Sequence, residues 1–68
     1  MTDALGNHIK HYRTEAGWTQ ADLAQACNVS RKTINTVENG VFVPSTVLAL
    51  KIAAVFGRPV EEIFWLEE

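Results

Sequence analysis

Lys32, Asn35, Thr36 and Asn39 recur at helical spacing, and Arg31 stands directly ahead of them. Side chains three and four residues apart share one face of a helix. On a wheel of about 100° per residue, RKTINTVEN therefore turns Lys32, Asn35, Thr36 and Asn39 outward and Ile34 and Val37 inward, with Arg31 and Thr33 on the flanks. The outward set suits hydrogen bonding to base pairs. Arg and Lys donate to guanine O6 and N7, while Asn and Thr meet adenine or a thymine methyl. A solvated helix face contains the same residue types, and any one of these side chains alone would be read that way. A first turn carrying Arg31 and Lys32, at the end that enters a major groove most deeply, favours recognition instead.

Other chemistry-bearing residues form no comparable group. His8 and His11 lie three apart with no carboxylate or thiol obviously beside them. Two surface histidines account for them better than a metal site does. Cys27 is the only cysteine, so there is no disulfide framework, and it falls on an inward stripe. Nothing pairs a nucleophile with a base, cradles a phosphate or sets two carboxylates face to face. An enzyme is not expected, nor is a cofactor or a metal.

The recognition face needs a support, and Gln20 to Asn39 supplies it as two short helices joined by a tight turn. Leu23 and Cys27 share a face of the first of these, and the small Ala24 lets another helix cross closely. Asn28, between the two helices, is one of the few non-glycine residues that readily adopts a left-handed backbone. Thr19 and Asp22 form a capping-box pattern, with Trp18 and Leu23 as the staple around it. Ser30 is the next cap, and Val29 with Ile34 the next staple. A cap is worth about 1 kcal/mol. Together these features predict a helix-turn-helix over residues 20–39. The unpaired N–H groups at the start of its first helix make Thr19 and Gln20 candidates for phosphate contact. Thr33 and Asn39 are further backbone candidates.

Around this unit, Leu5, Ile9, Tyr12 and Ala16 predict a helix from Asp3 to about Ala16, closed by Gly17. Ser45 caps a helix to about Phe56, with Gly57 ending it and Ala49, Ile52, Ala53 and Phe56 inward. Leu48 and Val55 fall outside that stripe. Pro59 suits the first position of a short fifth helix, and Glu61 and Glu62 suit its N-terminal dipole. The tail Ile63-Phe64-Trp65-Leu66 holds more apolar surface than one small core absorbs.

The 68 residues correspond to one domain, 1–68, all-α, with five helices. A chain this short buries only about 60% of its unfolded surface, so association is an expected source of stability. A homodimer through a C-terminal segment at about 59–68 is predicted, with Leu48, Val55, Phe64, Trp65 and Leu66 as interface candidates. The net charge of −2 does not oppose nucleic acid as a partner. Residues 1–40 carry four cations and four anions, and the excess acid lies in Glu61, Glu62, Glu67 and Glu68. MTDALGNHIK lacks the basic start and apolar core of a signal peptide, and no apolar run reaches the about 20 residues of a membrane span. A cytoplasmic protein is expected.

GWTQADLA, VSRKTINTVENG, PSTVLALKIA and EEIF occur here in the order and spacing of a known family. From Ile9 to Trp65 the chain resembles the Cro and phage-repressor helix-turn-helix regulators, particularly short dimeric members similar to the cytolysin repressor. The resemblance implies a five-helix DNA-binding domain with Arg31, Lys32 and Thr36 at base-reading positions. It also implies a DNA contact at Gln20 and a bridge between Arg13 and Glu38, which would neutralise the acid on the DNA-side helix. Asn28 replaces the usual turn glycine, Thr46 replaces a usual leucine, and Val41-Phe42-Val43 stands where a phosphate-binding cation often follows Asn-Gly.

The expected function is a homodimeric, sequence-specific regulator, a repressor before an activator, on a near-palindromic operator in double-stranded DNA. An antitoxin or other protein-interaction module of the same fold is the alternative, favoured by the apolar loop. A structural bundle without a DNA role is the third reading.

Overall fold

The computed structural model describes residues 4–67. In chain order it has β1 (Ala4–Asn7), α1 (Ile9–Glu15), α2 (Gln20–Cys27), α3 (Arg31–Glu38), α4 (Thr46–Phe56), α5 (Val60–Ile63) and β2 (Phe64–Glu67). The five expected helices are present, and a two-stranded antiparallel sheet joins the ends of the chain. All-α is therefore a near description, corrected by that sheet.

The helix predicted from Asp3 starts only at Ile9. Asp3 lies outside the described residues, and residues 4–7 form β1 instead. Its register pairs Ala4 with Glu67, Leu5 with Leu66, Gly6 with Trp65 and Asn7 with Phe64. The Asn7 side-chain oxygen accepts the Ile9 N–H at 3.1 Å, so the helix begins behind Asn7. Gly6, a poor helix former, lies directly beneath the Trp65 ring, in space that a Cβ would occupy. Leu5 still packs against the core, now from a strand.

The core consists of Ile9, Leu23, Ala24, Cys27, Ile34, Val37, Leu48, Ile52, Ala53, Ile63 and Phe64. Two expectations are corrected by it. Leu48 and Phe64, taken as surplus apolar surface for a dimer, are buried within the subunit, and Ile63 is fully enclosed. The large exposed apolar positions of α4 are Val47 and Leu50. Trp65 and Leu66 stay open at 37% and 68%.

The turns follow the local chemistry. Asn28 adopts φ 57°, and the N–H groups of Asn28 and Val29 close onto the Gln25 and Ala24 carbonyls. This is the Schellman arrangement that satisfies the end of a helix. Ser45 accepts the Leu48 N–H at 3.1 Å to start α4. Pro59 sits one place earlier than expected, as the residue preceding α5. Among the described residues no helix is long and apolar enough to cross a membrane.

Candidate nucleic-acid interface

α3 begins at a built cap. The Ser30 hydroxyl accepts the Thr33 N–H at 3.1 Å and lies 2.9 Å from the Thr33 hydroxyl. Ile34 and Val37 are buried to 0% and 1% exposure and hold the helix to the core. Arg31, Lys32 and Asn39 are exposed; Thr33, Asn35 and Thr36 are half-buried. The inward and outward sides of this helix are therefore those read from its spacing.

The polar face is internally braced. Asn35 donates to the Gln20 side-chain oxygen at 3.2 Å, and Asn39 donates to the Asn35 side-chain oxygen at 2.9 Å. This chain of amides links the first residue of α2 to the end of α3 and brings three predicted contact residues together. Gln20 and Asn39 keep free hydrogen-bonding capacity at its two ends. The Thr36 hydroxyl donates to the Thr33 carbonyl at 2.9 Å.

At the start of α2 the capping box is complete. The Thr19 hydroxyl accepts the Asp22 N–H at 3.0 Å, and the Thr19 N–H donates to the Asp22 carboxylate at 2.8 Å. The Thr19 backbone N–H foremost, and the nearby Thr19 hydroxyl after it, hold the Asp22 carboxyl pKa below the usual range. Thr19 thus has no backbone N–H left for a phosphate, which narrows its candidacy to the hydroxyl proton. The first N–H groups of α2, at Gln20 and Ala21, have no partner among the described residues.

Arg13 and Glu38 form a two-pronged pair, with Nη2 to Oε1 at 2.9 Å and Nε to Oε2 at 3.1 Å. Arg13 Nη1 also donates to the Trp18 carbonyl at 2.9 Å. The bonds to Glu38 raise the guanidinium pKa above its ordinary value. The one carboxylate on α3 is therefore neutralised inside the fold, and the positive first turn is left uncancelled.

Asn7 is a participant that sequence reasoning missed. Its amide donates to the Val37 carbonyl at 3.2 Å and the Glu38 carbonyl at 3.4 Å, tying the end of α3 to the sheet. The sequence reading placed Asn7 inside the first helix, and its reach to α3, across 30 positions, had no local sign.

The remaining candidates stay apart from this face. His8 packs against Trp65 with centroids 4.3 Å apart and the rings tilted by 39°, and His11 pairs with Glu15 at 3.5 Å. Cys27 is 1% exposed, and burial pushes its thiol pKa up. Among the described residues no three metal-ligating side chains gather.

The chain is similar to known proteins in sequence and fold. A helix-turn-helix family model matches residues 9–63. The chain is 42% identical over 64 residues to YgzD of Bacillus subtilis, an uncharacterized HTH-type transcriptional regulator, covering 94% of this chain and 97% of that protein. It is 47% identical over 64 residues to an uncharacterized HTH-type transcriptional regulator of Methanocaldococcus jannaschii, with the same 94% and 97% coverage. Among solved structures, a hypothetical transcription factor from Neisseria superposes with a TM-score of 0.77 at 25% identity, covering 81% of this chain and 62% of that one. With the capped turn, the exposed first turn of α3 and the Arg13–Glu38 pair in place, the chain belongs to the Cro/C1-type helix-turn-helix family, whose members are DNA-binding transcriptional regulators rather than enzymes.

Proposed function

We propose that this chain is a sequence-specific transcriptional repressor, a single 1–68 helix-turn-helix domain acting in the cytoplasm as a homodimer. One observation carries the reading: Arg31 and Lys32 are exposed on the first turn of a helix whose opposite side, Ile34 and Val37, is buried. In this reading α3 enters the major groove, with Arg31, Lys32, Asn35 and Thr36 at base edges. Thr19, Gln20, Thr33 and Asn39 meet the backbone around it. Two subunits place their α3 helices in successive grooves roughly 34–36 Å apart, on a near-palindromic operator. Repression requires only occupancy, since a bound dimer covering a promoter excludes polymerase without touching it.

The dimer surface in this proposal is the open apolar strip of the C-terminal segment. It includes Leu66 and Trp65 and continues through His8 and Tyr12, whose rings are 6.4 Å apart, to Phe56 and Val55. The antitoxin-type alternative rests on the exposure of Val41 and Val43, at 78% and 69%.

The test is binding to DNA upstream of the chain's own gene, and to duplexes selected from a random pool, at two salt concentrations. Salt-sensitive, sequence-selective binding is expected. Arg31→Ala or Lys32→Ala should lose about 1–3 kcal/mol where a two-pronged base contact is removed. Equal binding to every duplex, unchanged by both substitutions, would overturn base reading.

A further inference from the structure

The loop after α3 has no cation, yet it is held against the recognition face. Gly40 turns the chain at φ 74°, and the N–H groups of Val41 and Phe42 both donate to the Thr36 carbonyl, at 2.9 and 3.2 Å. The loop is thereby pinned to the turn of α3 that carries Thr36. A shallow notch results, lined by Lys32, Thr33, Thr36 and Phe42. Both threonine hydroxyls are engaged within the helix, Thr36 with the Thr33 carbonyl and Thr33 with Ser30, each at 2.9 Å. The notch is bounded chiefly by carbon, with Phe42, 54% exposed, as one wall and Lys32 part of its lining.

We propose that this notch receives the C5-methyl group of a pyrimidine, thymine in unmodified DNA, beside the base edge offered to Lys32. The proposal rests on the base-reading role of α3 and adds Phe42 as a specificity-determining residue. An apolar wall continuous with a groove-facing helix suits the one apolar group that the major groove displays, the thymine methyl. Burying a methyl is worth about a fourfold change in affinity. Because a methyl contact releases no counterion, that factor is independent of salt, unlike the phosphate contribution. Phe42 thus trades a loop phosphate contact for discrimination.

The experiment uses duplexes selected by the intact protein, with each thymine replaced in turn by deoxyuridine, which removes only the methyl. One position per half-site should weaken binding about fourfold, equally at two salt concentrations. Phe42→Ala should bind the thymine and deoxyuridine duplexes alike, while Phe42→Leu keeps most of the difference. A thermal melt of each variant verifies folding at this exposed position. Cytosine and 5-methylcytosine at the same position separate the sources: tighter binding of the methylated base alone supports the notch with methylcytosine as its ligand. The proposal is overturned if removing the methyl changes nothing at either thymine or 5-methylcytosine in the unaltered protein, or if the methyl is worth as much in Phe42→Ala. Failure to select any sequence would instead sink the base-reading role itself, and this proposal with it.

Discussion

Arg13 and Glu38 are 12% and 6% exposed at their side chains, so each depends on the other for its lost hydration. Removing one partner of such a pair costs about 3–5 kcal/mol, because the other charge is left enclosed and unpaired. Arg13→Ala should therefore lower the unfolding free energy by a large part of that range in urea, and Arg13→Met with Glu38→Leu by much less. Equal losses in the two proteins would show that packing, rather than charge, holds this corner. Asp22 makes a different prediction, because it is fully exposed and acts through its cap. Its folded pKa is lowered by the Thr19 bonds. Its contribution is present above the unfolded value of about 3.9, and is lost as pH falls through the folded one. Asp22→Asn should flatten the acid limb of the stability profile and leave its slope near neutrality alone. An unchanged acid limb would mean that the box contributes nothing measurable.

At the scale of elements, the helix-turn-helix was legible because its instructions are local. Thr19 to Asp22, Ser30 to Thr33 and the left-handed Asn28 all act within a few residues. The sheet was not legible. Leu5 and Ile9 are four apart, which a helix and a strand-then-helix both satisfy by turning Leu5 inward. Gly6 was the overlooked sign. An added Cβ there would collide with the Trp65 ring and the Glu67 carboxylate. Gly6→Ala should destabilise the protein by about 1–3 kcal/mol, the range for overpacking, and shift the Trp65 indole resonance. Native stability with an unmoved indole would show that the ring adapts at no cost. The site divides the same way: the outward residues of α3 follow from periodicity. The amide chain through Gln20, and Phe42 lying against Thr36, needed two segments brought together.

For the whole molecule, the balance of burial decides which apolar surface is left exposed. The tail was read as surplus, yet Ile63 and Phe64 complete the subunit's own core, leaving only Trp65 and Leu66 open. Dimerisation through that strip would make folding concentration-dependent. The melting temperature should rise with protein concentration, and Leu66→Arg should abolish that rise without unfolding a concentrated sample. A melting temperature that stays constant from micromolar to millimolar concentration would exclude this interface as a source of stability. Sequence by itself determined where α2 and α3 begin and end and which side of α3 faces outward, since caps, turns and periodicity are set by neighbours along the chain. Tertiary structure alone decided that residues 4–7 pair with 64–67, that Asn7 grips the end of α3, and which apolar residues remain for a partner. Those outcomes turn on contacts between distant segments, where a residue's preference yields to the space and hydrogen bonds its remote neighbours provide.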